Sequence, residues 1–394
     1  MSDLMSLYSD YSAGTEPPEQ YHWWTFLTTA SVYFGRRIRF PVRYRLNPSG
    51  GYVCLVAPSG EGRKSSASDL AVDLLELALE GQEEDEALPL IIYEPTLAAL
   101  LGTLGTATEK FGTTPPALVY NDEARNLFRD PEFVGLLDSL FTRRNYKRET
   151  KTQGVDSLKN HSISIITCTT PSWLGEFGPK YGFEEGTLGR FINSYANGRK
   201  NRIPWPEESK IHTDLSSKLV DGLRELKGLS GIMQMESNVR RKYDEWYNNY
   251  ECSDAIAKRT GWGARSHTHL LRTAGSLALL TRQELNVRMD DYDAAFERVM
   301  QVEQDLWSVY QKLLVDGEQR EIKLIESVIH TAGESGLQHT DLRNKVVRRV
   351  GKRQFDDTLA HLTEAQTIFR KKVEHSRGRP AWWYRHNEFG DWES

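Results

Sequence analysis

The stretch YVCLVAPSGEGRKSSASDL, residues 52–70, decides how the rest of the chain is interpreted. An apolar run rich in strand-forming residues leads into a turn with two glycines, and a helix-like segment follows. The turn ends in Lys64 and Ser65, as phosphate-binding loops do, but the usual pattern Gly-x-x-x-x-Gly-Lys-Ser/Thr does not fit. Arg63 separates Gly62 from Lys64, so the spacing differs from that pattern by one residue. The stretch is therefore either a variant nucleotide site or an ordinary turn between a strand and a helix.

A phosphate-binding loop works because backbone N–H groups at a helix N-terminus converge on an anion. Gly60 and Gly62 permit the tight backbone that this requires, and the Lys64 ammonium reaches the phosphates. The Ser65 hydroxyl joins Mg²⁺, and Ser66 takes that role if the register shifts by one residue. The residues predicted to bind ATP are Gly60, Gly62, Arg63, Lys64, Ser65 and Ser66.

Two later strands end in polar residues that suit the same chemistry. ALVYNDE places Asp122 and Glu123 at the end of an apolar strand, where an acid orders Mg²⁺ and a following glutamate polarises the attacking water. SISIITCTT ends in Thr169 and Thr170, and we assign to Thr169 the role of sensing the γ-phosphate. Each feature alone also fits a solvated strand end. Their order along the chain predicts an ATP site that holds Mg²⁺ through Ser65 and Asp122. Glu123 and Thr169 are the predicted catalytic residues in it.

An arginine-rich segment, GTLGRFINSYANGRKNRIPWP, follows the last of these strands. In ring-forming ATPases an arginine of one subunit reaches into the neighbour's site and offsets charge on the phosphoryl group in transfer. Arg190 is the first candidate for that catalytic role, ahead of Arg199, Lys200 and Arg202. The alternative is an ordinary surface arginine that contacts an anion.

The composition limits the remaining possibilities. The chain has 394 residues, 39% hydrophobic and 27% charged, which predicts two or three domains with real cores, or one large domain with an appendage. Its formal net charge of −5 requires any nucleic-acid surface to be local. No apolar run approaches the roughly 18 residues of a membrane span, and the N-terminus is too polar for a signal peptide. Cys54, Cys168 and Cys252 lie too far apart for a zinc site or a disulfide framework. We therefore expect a soluble cytoplasmic protein with no membrane partner.

The pattern of elements changes three times along the chain. Strands that alternate with helices predict a parallel α/β sheet over residues 51–206, preceded by an N-terminal helical segment over 1–50. Long helical segments take over at 207–317. Residues 318–394 show the pattern of three short helices and a β-hairpin, which is the order of a winged-helix domain. The predicted fold is thus an α/β P-loop core, RecA-like or AAA+, with a helical region and a C-terminal winged helix.

The predicted winged-helix region is locally basic in an otherwise acidic protein. Such a face attracts DNA phosphates through counterion release, and the neighbouring Trp382, Trp383 and Tyr384 are able to stack on unpaired bases. The alternative is a winged helix that contacts protein, with these aromatic residues packed beneath the hairpin. The residues predicted to contact DNA are Arg348, Arg349, Lys352, Arg353, Lys371, Lys372, Arg377 and Arg379.

Five segments together resemble the primase-associated P-loop ATPases of phages, plasmids and integrated mobile elements, a helicase-like family. They are EPPEQYHWWTFLTTASVYFGRRI, APSGEGRKSSA, LVYNDEARNLF, IITCTTPSWL and GTLGRFINSYANGRK, and the resemblance spans roughly residues 16–310. The family's loop often has the form Gly-x-x-Arg-Lys, which Arg63 and Lys64 match. The resemblance implies an ATP-driven helicase, a hexameric ring that replicates a mobile element, with Arg190 as its arginine finger. Because no primase domain precedes residue 16, we expect a separate primase or replication protein to supply priming.

The sequence leaves three functions open. The first is an ATP-hydrolysing motor on DNA, a hexameric replicative helicase. The second is an ATP-dependent switch or assembly factor that does not unwind DNA, such as a loader, a transposition regulator or an antiphage defence component. The third is a DNA-binding scaffold with a degenerate loop that hydrolyses nothing, which the irregular position of Arg63 favours.

Overall fold

The computed structural model describes residues 3–42, 45–82, 87–150, 154–177, 186–205, 210–251, 260–347, 350–374 and 380–392. Its strands, in chain order, are β1 Ile38–Val42, β2 Arg45–Pro48, β3 Tyr52–Val56, β4 Leu90–Tyr93, β5 Ala117–Asn121, β6 Tyr146–Thr150, β7 Gly154–Leu158, β8 Ile163–Thr169, β9 Phe191–Tyr195, β10 Gly231–Ile232, β11 Gln234–Met235, β12 Asn286–Val287, β13 Leu337–Gln338, β14 Ile368–Val373 and β15 Ala381–His386. Its α-helices are α1 Leu4–Ser12, α2 Glu19–Phe34, α3 Lys64–Leu79, α4 Leu97–Phe111, α5 Ala124–Phe128, α6 Pro131–Thr142, α7 Pro171–Phe177, α8 Lys210–Glu225, α9 Ser237–Asn249, α10 Ser266–Arg282, α11 Met289–Thr331, α12 His339–Val346 and α13 Lys352–Glu364.

A parallel sheet of five strands, in the order β4-β5-β8-β3-β9, lies at the centre of the first part of the chain. Every residue of β3, β5 and β8 is buried, which is why β3 and most of β5 appear in the sequence as apolar runs instead of alternating patterns. β8 lies between β3 and β5, with Val56 opposite Thr169 and Asn121 opposite Thr167. The predicted α/β architecture with a central parallel sheet is confirmed.

The sequence pattern does not predict β9, whose five residues include two buried polar side chains. The amide group of Asn193 donates to the carbonyl of Leu188 at 3.0 Å and to that of Phe191 at 2.9 Å. These hydrogen bonds satisfy the N–H groups of the buried amide, although its Oδ1 has no hydrogen-bond partner among the described residues.

The chain forms two compact units, Met1–Tyr310 and Gln311–Ser394. The first unit contains the central sheet together with most of the two segments expected to be separate, 1–50 and 207–317. The reason lies in α2, which is buried along nearly its whole length and on all sides, and which therefore needs neighbours around its circumference. The apolar core that α2 joins includes Leu4, Phe26, Leu74, Leu118, Leu219 and Leu271. Within the described ranges, no helix is both long enough and apolar enough to span a bilayer.

Smaller sheets complete the first unit. β1 pairs antiparallel with β2 and parallel with β10, β11 pairs with β12, and β6 and β7 form an antiparallel pair. The sequence does not predict β10, β11 and β12, because each is two residues long and carries no periodic signal.

The second unit contains a three-stranded sheet in the order β13-β15-β14, together with α12, α13 and the end of α11. β14 and β15 pair in antiparallel register, from Ile368 opposite His386 to Val373 opposite Ala381. The elements follow the expected order, except that the first of the three short helices is the end of α11, a helix of 43 residues. The core of this unit consists of Ile325, Ile329, Leu342, Val346, Val350, Phe355, Leu359, Leu362, Ile368 and Tyr384.

Candidate functional site

The carboxyl ends of three neighbouring strands, β3, β8 and β5, meet at one edge of the central sheet. The segments that leave these ends enclose a cleft of about 450 Å³. It is lined by Ser59, Gly60, Lys64, Ser65, Asp122, Glu123, Ala124, Arg125, Cys168, Thr169, Thr170, Ser172 and Trp173. Of the predicted residues, the cleft gathers Gly60, Lys64, Ser65, Asp122, Glu123 and Thr169, and its lining does not include Gly62, Arg63, Ser66 or Arg190.

The loop between β3 and α3 requires its two glycines for different reasons. Gly60 has a φ of +74°, a left-handed angle that favours glycine. Gly62 lacks space instead, because a Cβ there would lie 2.5 Å from the Cβ of Ala57 and 3.2 Å from the ring of Tyr21. The loop is thus bent at Gly60 and packed against the protein at Gly62.

Arg63 precedes α3 in the left-handed conformation, with φ of 50° and ψ of 41°. Glycine adopts this conformation freely, and the usual loop pattern has glycine directly before its lysine. The side chain of Arg63 turns to Glu16, with Nε 2.6 Å from the carboxylate, and does not line the cleft. Arg63 therefore has a backbone conformation that glycine adopts more readily than other residues.

Helix α3 begins at Lys64, and its first turn, which lies wholly within the described residues, has neither a capping side chain nor an acidic residue. Such a helix end carries partial positive charge and binds anions readily. The Nζ atom of Lys64 donates to the carbonyl of Ala57 at 3.1 Å and so reaches across the loop. Ser65 is half-buried in the lining of the cleft, whereas Ser66 is exposed outside it.

Asp122 and Glu123 follow β5, and both are exposed in the cleft. The backbone N–H of Glu123 donates to the side-chain oxygen of Asn121 at 3.0 Å, which holds the turn after the strand. The preceding Tyr120 donates its hydroxyl to Asp69 of α3 at 2.6 Å. The two acids therefore sit on a turn whose strand is hydrogen-bonded to the helix that follows the loop.

Strand β8 brings Cys168 and Thr169 into the cleft between the other two strand ends. Burial raises the pKa of the Cys168 thiol, so this cysteine stays protonated and is no nucleophile at neutral pH. Thr170 follows, and its hydroxyl oxygen accepts the N–H of Trp173 at 3.3 Å in the first turn of α7. Thr169 and Thr170 thus present hydroxyl groups at the same edge of the sheet as Lys64.

The cleft also contains Arg125, Ser172 and Trp173, which the sequence pattern does not predict. Arg125 is exposed on the short helix α5, just after the two acids. Trp173 packs against Phe128, with ring centroids 5.8 Å apart and planes at 21°. Their only signal in the sequence is proximity to the strand ends, because the direction of each side chain depends on how α5 and α7 leave the sheet.

Arg190 lies at the amino end of β9, whereas the cleft is at the carboxyl ends of the strands. Its guanidinium donates to the carbonyl of Gly186 at 2.8 Å and pairs with Asp138 at 3.2 Å. The side chain is only 12% exposed, and burial lowers the pKa of the guanidinium, although Asp138 opposes that shift. Within its own chain, Arg190 therefore does not reach the cleft.

Glu16 connects the loop with the segment that follows β9. Its carboxylate accepts the backbone N–H of Ile203 at 3.0 Å, Arg63 at 2.6 Å and Arg199 at 3.0 Å. The Ile203 N–H, followed by Arg63, lowers the pKa of the Glu16 carboxyl. Arg199, one of the alternatives to Arg190, is thus held in its own chain as well.

Helix α2 fixes the end of β3 directly before the loop. The Tyr21 hydroxyl donates to the carbonyl of Val56 at 2.5 Å and accepts the N–H of Ala196 at 3.0 Å. Gln20 donates to the carbonyl of Tyr195. Because β3 and β9 are both bound to α2 at this edge, the loop starts from a rigid position.

The residues predicted to bind DNA are only partly described. Lys371 and Lys372 are exposed on β14, and Lys352 is exposed at the start of α13. The side chain of Arg353, and the whole of Arg348, Arg349, Arg377 and Arg379, lie outside the described residues.

The aromatic residues of β15 point in different directions. Trp382 is 40% exposed, and the guanidinium of Arg370 lies 5.0 Å from the centre of its ring. Tyr384 is buried in the core of the second unit. Trp382 is therefore the member of this cluster that is best placed to meet a ligand from solvent.

The cleft combines an ammonium group, the N–H groups of a helix end, hydroxyl groups and two carboxyl groups. The cationic groups suit a chain of phosphates, and the carboxyl and hydroxyl oxygens suit a hard divalent cation such as Mg²⁺. Comparison with models of known protein families finds no match for the chain, and comparison with curated proteins finds none either. The functional interpretation therefore depends on the geometry and chemistry of the cleft.

Proposed function

We propose that this chain is a Mg²⁺-dependent ATPase with a P-loop core, of RecA-like or AAA+ type, that acts on DNA. One observation carries the proposal: Lys64, at a helix end without a capping side chain, shares a cleft with Asp122 and Glu123. P-loop enzymes transfer phosphoryl groups with these parts, a phosphate-binding loop and acidic residues that hold Mg²⁺ and orient water. The left-handed backbone at Arg63 supports a working loop instead of a degenerate one.

In this proposal, the helix end and the Lys64 ammonium hold the β- and γ-phosphates of ATP. Ser65 and Asp122 are the residues that would hold Mg²⁺, which neutralises phosphate charge when it is bound. Glu123 orients the attacking water and accepts its proton. Thr169 donates its hydroxyl to the γ-phosphate from the strand between the two motifs.

The proposed assembly is a ring of identical subunits, a hexamer in first place. Because Arg190 lies outside the cleft of its own chain, it acts on phosphate only from a neighbouring subunit. To do so, the Arg190 guanidinium must leave its ion pair with Asp138 and bind the phosphate of the neighbouring subunit. This change of partner would couple hydrolysis to subunit contact. Arg125 is exposed in the cleft of the same chain and supplies positive charge without a neighbour.

The second unit supports the DNA-binding part of the proposal. Its helices, followed by the antiparallel pair β14 and β15, have the order of a winged helix. Lys371 and Lys372 are exposed on the proposed wing, and Trp382 lies opposite Lys372 in the neighbouring strand. A motor of this kind would serve the replication of a mobile element, with a separate primase or replication protein as its partner.

A second candidate is an ATP-dependent switch on DNA, such as a loader, a transposition regulator or an antiphage defence component. The ion pair between Arg190 and Asp138 favours it, because this pair keeps the candidate finger inside its own subunit. A strand-displacement assay distinguishes the two functions. A motor separates the strands while it hydrolyses ATP, whereas a switch binds DNA and hydrolyses ATP without strand separation.

ATP hydrolysis by the purified chain, with and without single-stranded DNA, tests the proposal. We expect turnover that DNA stimulates and that Glu123→Gln lowers by about 10²–10⁴-fold, the usual contribution of a general base. Lys64→Ala should also remove nucleotide binding, whereas Lys110→Ala, the same change at an exposed lysine outside the cleft, should leave binding and turnover intact. Equal turnover in wild type and Glu123→Gln would overturn the proposal. Absence of nucleotide binding by the wild type would do so too, and would favour a DNA-binding scaffold.

A further inference from the structure

Two histidines and a glutamate meet in the second unit, and the proposed ATPase function uses none of them. His330 lies near the end of α11, His386 ends β15, and Glu388 follows in the turn Asn387–Phe389. One possible ligand atom from each residue lies within 4.8 Å of those of the other two. We propose that these three residues bind a divalent transition metal ion, Zn²⁺ in first place, with water in the remaining position.

The hydrogen bonds of His386 prepare it for coordination. Its Nδ1 accepts the backbone N–H of Glu388 at 3.3 Å, which places the ring proton on Nε2. That Nε2 lies 3.4 Å from Oε1 of Glu326 and donates to it. Histidines that bind metals commonly donate their second nitrogen to a carboxylate in this way, which sets the tautomer and the direction of the ring. His386 is buried, so the ring keeps its position, and a metal ion that binds Nδ1 would replace the long hydrogen bond that this atom accepts from the Glu388 N–H.

His330 and Glu388 form the accessible side of the site. The Nε2 of His330 lies 2.8 Å from Oε2 of Glu388, and the two side chains are 47% and 65% exposed. A metal ion that enters from solvent replaces the proton between these two atoms.

The donor atoms select the kind of ion. Two imidazole nitrogens and one carboxylate suit Zn²⁺, Co²⁺ or Ni²⁺, whereas Mg²⁺ and Ca²⁺ prefer oxygen ligands. Zn²⁺ binds nitrogen and oxygen at about 2.0–2.2 Å, so the three ligand atoms must move closer together by rotation of side chains. His330 and Glu388 have this freedom because they are exposed.

The site joins separate elements of the unit. Glu326 and His330 are one helical turn apart on α11, and His386 and Glu388 lie at the end of β15. A bound ion therefore links the helix to the sheet and should raise the melting temperature of the protein, because an ion that binds only the folded state stabilises it.

Zinc binding by the full chain, freed of metal with a chelator, tests this site. The zinc titration is followed by calorimetry and contains excess Mg²⁺, which competes for carboxylates elsewhere. A second titration, with Co²⁺ in place of zinc, is followed by the visible absorption of the bound ion. We expect His330→Ala and Glu388→Gln each to weaken the binding of one ion by about tenfold or more, and Glu326→Gln to weaken it by about 10–100-fold through His386. His361→Ala, an exposed histidine on α13, is the matched control and should leave the affinity unchanged.

The variants are chosen so that the fold is kept. His330 and Glu388 are exposed, so their substitution removes no core contact. Equal zinc affinity in wild type and His330→Ala overturns the proposal. Absence of zinc binding by the wild type overturns it too, and leaves the cluster as a hydrogen-bonded pair of His330 and Glu388. Both measurements are made without ATP or DNA, so their outcome is independent of the proposed ATPase function.

Discussion

A methyl group at Gly62 is the sharpest perturbation of the loop before α3. In Gly62→Ala the new Cβ would lie 2.5 Å from the Cβ of Ala57 and 3.2 Å from the ring of Tyr21. Carbon atoms in contact prefer a separation of about 3.5–4.0 Å, so the loop must move by about 1 Å or more. Neither neighbour gives way easily. The N–H of Ala57 donates to Thr169 at 3.3 Å, and the Tyr21 hydroxyl is held by two hydrogen bonds.

The expected effects follow from this displacement. Extra methyl groups in a well-packed site cost about 1–3 kcal/mol. In a unit of this size, that loss lowers the melting temperature by about 2–6 °C. The carbonyl of Ala57 also accepts the hydrogen bond of Lys64, so the shift moves the ammonium away from its position in the cleft. A misplacement of about 1 Å lowers turnover by as much as about 10²-fold in a site that depends on positioning.

Thermal melting and ATP turnover measure the two effects, and other glycines supply the controls. Gly51→Ala is the matched change, since a Cβ there meets no atom within 4 Å. Gly60→Ala also enters open space but has a φ of +74°, so it isolates the cost of the backbone angle. If Gly62→Ala melts like Gly51→Ala and turns over ATP like the wild type, the loop in solution does not pack against Ala57 and Tyr21, and the reasoning fails.

Two further predictions concern other parts of the molecule. Burial lowers the pKa of His269 to about 3, whereas the unfolded chain takes up this proton near about pH 6.5. The free energy of unfolding should thus be highest above that pH and fall towards pH 3 by about 1.4 kcal/mol per pH unit from this group. Denaturation measured as a function of pH should show that His269→Gln removes this slope, whereas His361→Gln, on an exposed helix face, keeps it. If the free energy of unfolding has the same slope against pH in the two variants, His269 is not buried as the structure has it. Exchange of Lys371 and Lys372 for glutamate should weaken DNA binding and lower the slope of log affinity against log salt by about 0.9 per lost phosphate contact. If this double variant binds DNA as the Lys110→Glu control does, the β14–β15 hairpin is not part of the DNA interface.

Local sequence was a sufficient guide to several elements of the site. The apolar run, the glycine turn and Lys64 predict a strand, a loop and a helix, and the structure has β3 and α3 at these places. Asp122 and Glu123 follow an apolar run, and they do lie at the carboxyl end of β5. These features depend on backbone propensity and hydrophobic periodicity, which act between near neighbours in the chain.

Other residues have roles in the structure that their sequence context does not reveal. Arg63 interrupts the expected spacing, yet it takes a left-handed backbone conformation and binds Glu16. The sequence makes Arg190 a candidate to reach into a neighbouring subunit, yet Asp138 holds it within its own chain. In both cases the partner is distant in the sequence, so no motif around the arginine predicts it.

The sequence by itself determined the alternation of strands and helices, the α/β class and the chemical groups at the ends of β3, β5 and β8. Only the tertiary structure decided that β8 lies between the other two strands, that the loop is bound to Glu16, and that His330 meets Glu388. The physical reason is that these contacts join segments far apart along the chain. They form only when whole elements pack at close to crystalline density, and that packing is decided by all of the neighbours together and not by any one stretch of sequence.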